Sequence, residues 1–246
     1  MEVFFEAFDR MDRLGPGSDE STTRAMELYP NRDADLRILD IGCGRGAHTL
    51  LLAEYFPNAI ITAIDNHEPY IEHLNETAKL KSVSNRVTAT CMSMFEIIFP
   101  DECFDLIWVE GAIYITGFEK GINNWKRLLK PNGYFICSEI SWLTDTPSVE
   151  SHQFWYNNYP DMDTVSNNLI KIEQAGYTIK ENFVLPSTDW TTHYYDLIQN
   201  NLKSMREYYA DNVAAMQVVE MLQTEIDVYH RNKQDYSYVF YAMERA

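Results

Sequence analysis

LRILDIGCGRGAHTLLLAE, residues 36–54, carries an apolar strand, RILDI (37–41), into three glycines, Gly42, Gly44 and Gly46, and out into a helical run. A strand apolar on both faces belongs inside a parallel sheet that is covered on both sides. The glycines let the chain turn sharply and let a ligand approach the backbone. The helix that follows brings backbone N–H groups and the positive end of its dipole to the same spot. The unit is therefore built to meet a small ligand, and the flanking sequence has to say which.

The same alternation continues outward. AIITAID (59–65), RVTATCM (86–92), FDLIWVE (104–110) and YFICSEI (134–140) read as strands. PYIEHLNETAKL (69–80) and FEKGINNWKRLLK (118–130) carry apolar residues at helical spacing, and Pro131-Asn132-Gly133 reads as a turn. Strands and helices alternating with short links predict an α/β domain with a parallel sheet and helices on both faces. The tail adds a helix (164–176) stopped by Gly176 and strands over 177–186 and 236–245. Between those strands a hairpin would suffice. Instead Tyr194, Leu197, Ile198, Leu202 and Met205, then Val213, Met216, Val219, Leu222, Ile226 and Tyr229, predict two amphipathic helices. The chain thus reads as one domain over residues 1–246. A helical leader (1–30, with Ser18 as a helix N-cap) and a helical cap insertion (187–235) flank a core over 31–186 and 236–246.

Composition narrows the partners. The 246 residues carry a net charge of −17 and show no basic patch dense enough to override it, so nucleic acid is not expected as a substrate. The four cysteines form no C-x-x-C pair, so no metal site is expected. The first residues lack the pattern of a signal peptide, and no apolar run approaches the roughly 20 residues that span a bilayer. The expectation is a cytoplasmic protein that does not engage membranes, as a monomer or homodimer.

The glycine turn fits two patterns. G-C-G-R-G-A matches the dinucleotide fingerprint G-x-G-x-x-G/A, with Ala47 in third place, and also G-x-G-x-G, the turn that holds S-adenosyl-L-methionine (SAM). Asp40, at the end of the first strand, would repel a pyrophosphate and attract a cationic amino group. Asp65 closes the second strand, where an acid accepts hydrogen bonds from ribose hydroxyls of either ligand. Ser93 and Met94 follow the third strand, placed to bond and pack an adenine. Taken in order, ILDIGCGRG, AID, CMSMFEIIFPDECFDLIWVEGAIY and LLKPNGYFICSE make residues 36–140 resemble the class I SAM-dependent methyltransferases of small-molecule type. The leader's GPGSDESTTRAMEL is similar to uncharacterised bacterial members. The resemblance implies a Rossmann-like, seven-stranded, mostly parallel sheet whose last strand is antiparallel. It implies SAM held by Asp40, Gly42, Gly44, Asp65, Ser93 and Met94 and near Glu110, with Gly46 and Asn66 completing the set, and S-adenosyl-L-homocysteine (SAH) as product. Ser93-Met94 departs from the Asp-Ala that the family often has there.

A methyl acceptor must then be found for the other side. VEGAIY after the fourth strand is not the Asn-Pro-Pro-Tyr type used on base amines, and no Pro-Cys nucleophile stands there. A small-molecule acceptor remains. Aromatic residues crowd the segments after the fifth and sixth strands: Trp142, Phe154, Trp155, Tyr156 and Tyr159, then Trp190, Tyr194 and Tyr195. Trp142, Trp190 and Tyr194 are expected to hold the acceptor, an amine or a flat aromatic, because aromatic faces attract cations and stack on rings. Tyr114 is expected near the methyl group and His193 as a base. Glu110 and Glu139 both end strands on that side. Two other readings stand beside this one: a SAM-binding regulatory or scaffolding protein without turnover, and an NAD(P)-linked oxidoreductase, for which no Tyr-x-x-x-Lys pair is found.

Overall fold

The computed structural model describes residues 2–8 and 11–246. A short helix, α1 (Glu2–Glu6), and a longer one, α2 (Asp19–Met26), precede the sheet. Ser18 caps α2: its side chain accepts the Ser21 N–H at 3.1 Å. The core then alternates as β1 (Arg37–Ile41), α3 (Ala47–Tyr55), β2 (Ile60–Asp65), α4 (Glu68–Leu80), β3 (Val87–Cys91), β4 (Phe104–Val109), α5 (Phe118–Trp125) and β5 (Leu129–Trp142). Next come α6 (Val149–Asn158), α7 (Val165–Gln174) and β6 (Tyr177–Val184). A broken helix follows, with α8 (Ser187–Trp190), a π-turn (Thr191–Tyr195) and α9 (Asp196–Tyr208), then α10 (Val213–Asn232) and β7 (Tyr236–Arg245).

The described strands form one seven-stranded sheet in the order β3-β2-β1-β4-β5-β7-β6. The first five are parallel, and β7 runs antiparallel between β5 and β6. The chain winds outward from β1 through β2 to β3, then returns to the other side of β1 with β4. At such a reversal the neighbouring loops diverge, and a crevice opens at the carboxyl ends of the strands. The strands are apolar because both faces are covered: Ile38, Leu106, Trp108 and Ile136 belong to one buried cluster, Leu39, Ile107, Val109 and Phe135 to the other. The leader and the inner faces of α9 and α10 join the first cluster. No described helix is long and apolar enough to cross a membrane.

Two local readings are corrected. The helix expected over 118–130 ends at Trp125; a 3-10 turn (Lys126–Leu128) leads directly into β5. Pro131-Asn132-Gly133 is a bulge inside β5, where the pairing with β4 jumps from Phe104–Leu129 to Leu106–Tyr134 and Asn132 takes a φ of +61°. Helix α6 was not anticipated. Its Phe154, Trp155 and Tyr156 are consecutive, so they leave no 3.6-residue period to read.

Candidate active site

A cavity of about 970 Å³ opens at the carboxyl ends of β1 and β4. Small-ligand sites run to roughly 1,000 Å³, so this one is large enough for two partners to meet. One half lies on the glycine turn and the ends of β2 and β3. The other is walled by α6, the π-turn, α10 and β7.

The glycine half is shaped by close packing. Gly42 holds a φ of +76°, and a Cβ there would stand 2.5 Å from the Ala112 Cβ. Only glycine lets β1 turn this close to the chain leaving β4. The N–H groups of Gly42 and Cys43 donate to the Ile64 carbonyl at 2.8 and 3.0 Å, and that of Gly44 to Asp65 Oδ2 at 3.0 Å. Three N–H groups that a pyrophosphate would use are thus already taken. Asp65 Oδ1 also accepts the His67 N–H at 3.0 Å, which fixes the carboxylate at the cavity edge. Asn66, Met92 and Met94 line the cavity beside it.

Several expected cofactor residues stand elsewhere. Asp40 is fully buried beneath the turn and does not line the cavity. It accepts the Thr49 hydroxyl at 2.5 Å and lies 3.2 Å from His48 Nε2, so it anchors the first turn of α3 instead of facing a ligand. Burial lowers the His48 pKa, but the adjacent Asp40 charge more than reverses this and leaves it above the ordinary value. His48 itself lines the cavity, which the sequence reading missed. Gly46 packs against Leu74, away from the cavity. Ser93 does not line it either; its Oγ accepts the Phe95 N–H at 3.2 Å and caps the local turn. Glu110 does line the cavity, but its carboxylate is occupied. Arg13 forms an ion pair with it, the Thr22 hydroxyl lies 2.9 Å away, and Trp108 Nε1 donates at 3.2 Å. Glu110 is therefore the post to which the leader is tied, a pairing across 97 residues that no local pattern announces.

In the aromatic half, Tyr114, Trp190 and Tyr194 line the cavity, with Trp155, Tyr159 and Tyr238. Trp190 is held by its Nε1–H donating to Ser237 Oγ at 2.9 Å and by stacking on Tyr229 at 4.7 Å between centroids. Tyr114 meets Tyr159 edge-on at 5.9 Å. Two expectations are corrected. Trp142 faces a separate recess, stacked on His152 at 6.3 Å and edge-on to Tyr236. His193 is exposed and does not line the cavity, so no base is brought to the site at that position. The π-turn explains it: with i→i+5 pairing, residues four and five beyond Trp190 return to its inward face, and the residue three beyond does not. Glu139 is buried behind Tyr159, whose hydroxyl donates to its Oε1 at 2.8 Å. Burial pushes its pKa up to about 8.

The comparisons fit this geometry. A family described as a methyltransferase domain matches residues 32–239. A sterol 24-C-methyltransferase of Neurospora crassa is 26 % identical over 184 residues, 71 % of this chain and 48 % of that protein. A 27-O-demethylrifamycin SV methyltransferase of Amycolatopsis mediterranei is 31 % identical over 138 residues, 54 % of this chain and 50 % of that one. The chain thus spans about half the length of these curated relatives. A SAM-dependent methyltransferase of Geobacter sulfurreducens, solved with SAH, superposes with a TM-score of 0.85 over 100 % of this chain and 98 % of its own, at 20 % identity, a likeness of fold. With its match over residues 32–239 and its sheet order, this chain belongs to the methyltransferase-domain family.

Proposed function

We propose that the protein transfers a methyl group from SAM to a small-molecule acceptor held in the aromatic half of the cavity. One observation carries this reading: a single cavity joins the glycine turn and Asp65 to the wall of Trp155, Trp190 and Tyr194. Donor and acceptor would share one enclosed space. The residues present fit SAM. In this reading Asp65, held by the Gly44 and His67 N–H groups, accepts the ribose hydroxyls. Met92 and Met94 give an apolar seat for adenine, and the backbone of Gly42 and Gly44 lines the cavity beside it. SAM supplies an activated methyl on its sulfonium. The protein's own residues then have to align the acceptor and exclude water, and alignment alone can be worth about 7–11 kcal/mol.

Titration calorimetry should detect SAM and SAH but no nicotinamide dinucleotide. Asp65→Ala should weaken SAH by about 1–3 kcal/mol, the scale of a charged hydrogen bond to a buried hydroxyl. Unchanged SAH affinity would remove Asp65 from the cofactor site.

The leader and residues 187–235 act in this reading as a cap. Leu14 Cδ1 would stand 3.2 Å from a Cβ on Gly44, and the Gly17 N–H donates to the Asp189 carbonyl at 3.3 Å. Saturating SAH should slow amide exchange over residues 11–17. Exchange indifferent to SAH there would refute the cap.

A further inference from the structure

One feature that methyl transfer leaves unused is a carboxylate in the aromatic wall. Glu225 sits on the inward face of α10, one turn beyond Leu222, and both line the cavity. It accepts one hydrogen bond, from the Tyr195 hydroxyl at 3.0 Å. Among the described residues no ion pair reaches it. Of the arginines that line the cavity, Arg13 is paired with Glu110 and Asp19, and Arg45 belongs to the glycine turn, in the other half. The rings of Tyr114, Trp155, Trp190, Tyr194 and Tyr238 line the same cavity.

A carboxylate withdrawn from water without a protein cation is unfavourable unless something else neutralises it. Burial accordingly lifts the Glu225 pKa, against the pull of the Tyr195 hydrogen bond. Aromatic faces carry negative quadrupoles, which add to the attraction for a cation and offer nothing to an anion. An ammonium ion on a small apolar body matches both features at once: its N–H groups reach Glu225 while its carbon frame lies on the rings. A neutral phenol or alcohol would use the rings and leave the carboxylate uncompensated. An acid would be repelled.

We propose that the acceptor is an amine that enters as its ammonium ion, and that Glu225 selects it by pairing with the ammonium group and then accepts its proton, which frees the nitrogen lone pair to take the methyl while the electron pair of the broken C–S bond stays with the sulfur of SAH. The proposal rests on the methyl-transfer reading of the same cavity and adds the substrate class. No local motif marks Glu225. The signal lies in its phase: Leu222, Glu225 and Tyr229 share one helix face, so a charged residue interrupts an otherwise apolar stripe.

The test uses three probes with one ring and three charges: 2-phenylethylamine, 2-phenylethanol and phenylacetate. Each is titrated calorimetrically into the full-length protein saturated with SAH. The amine should bind about tenfold or more tightly than the alcohol, with the carboxylate weakest. Glu225→Gln keeps an acceptor for the Tyr195 hydroxyl and should erase that preference, leaving the alcohol and SAH affinities as they were. Equal binding of the three probes, a preference that survives Glu225→Gln, or no amine binding at millimolar concentration would overturn the proposal. Failure of the unaltered protein to bind SAH would instead strike the donor assignment, so the two readings fail separately.

Discussion

Exchange of Glu139 for glutamine is expected to stabilise the protein, by an amount that grows as the pH rises. Glu139 is 1 % exposed, and its Oε2 is buried with no hydrogen-bond partner. Burial raises its pKa from 4.5 to about 8; the Tyr159 hydrogen bond and the Lys171 charge oppose the shift and do not cancel it. The sign follows from proton counting. Between these two values the unfolded chain has lost the proton and the folded chain keeps it. The folded state binds more protons, so stability falls as pH rises through this window. Glutamine resembles the protonated form at every pH and is spared that loss. The ceiling is about 5 kcal/mol at 1.36 kcal/mol per unit, and about 2–3 kcal/mol is expected once local relaxation is allowed for. For a chain of this size that is roughly 5–10 °C in Tm at about pH 8, shrinking towards nothing near pH 5. Thermal melts of both proteins across that range decide it. A Tm difference that is the same at both ends would contradict the titration assigned to Glu139.

Gly46→Ala should cost about 2–5 kcal/mol of folding stability, combining a left-handed backbone with overpacking. Gly46 has a φ of +93° at the start of α3, and an added Cβ would lie 2.3 Å from Leu74 Cδ1. Leu74 is fully buried. Gly111→Ala is the control. It has a φ of +65° but nothing within 4 Å of its Cβ position, so it bears the backbone cost alone. Urea denaturation of the two variants should separate them by about 1–3 kcal/mol. Equal losses would mean that the Leu74 contact yields freely.

What could be read in the sequence follows the range of the interactions. The strands and the glycine turn are legible because their signal is local: RILDI is apolar on both faces, and a parallel sheet demands that. The insertion helices are legible because apolar residues return every three or four positions from Tyr194 to Tyr229. Asp65 closes the second strand, and Trp190 and Tyr194 stand in the aromatic segment after the sixth, so their places beside the cavity follow from strand order. Where the reading failed, geometry over long separations or unusual turns decided. Asp40 looked like a ligand because it precedes the glycines, yet the hydroxyl of Thr49, nine residues on, claims it. Glu110 looked open until Arg13 and Thr22 arrived from the leader. His193 looked central among aromatics, but a π-turn rotated it outward. Trp142 ends β5, and β7 and His152 enclose it on a different side.

The floor of the cavity comes from the parallel strands and the loops that leave them, from Gly42 to Ala112 and Tyr114, whereas Trp155, Trp190, Tyr194, Leu222, Glu225 and Tyr238 come from α6, α8, the π-turn, α10 and the first residues of β7. These wall pieces enter the sheet only through β5, β6 and β7, on the far side of β4 from the glycine turn. Side chains at Trp155, Trp190, Leu222 or Glu225 can therefore be exchanged without altering the Gly42–Ala112 contact or the Asp65 hydrogen bonds. The cavity thus joins a wall whose side chains can be exchanged to a floor whose glycine has no room for even a methyl group.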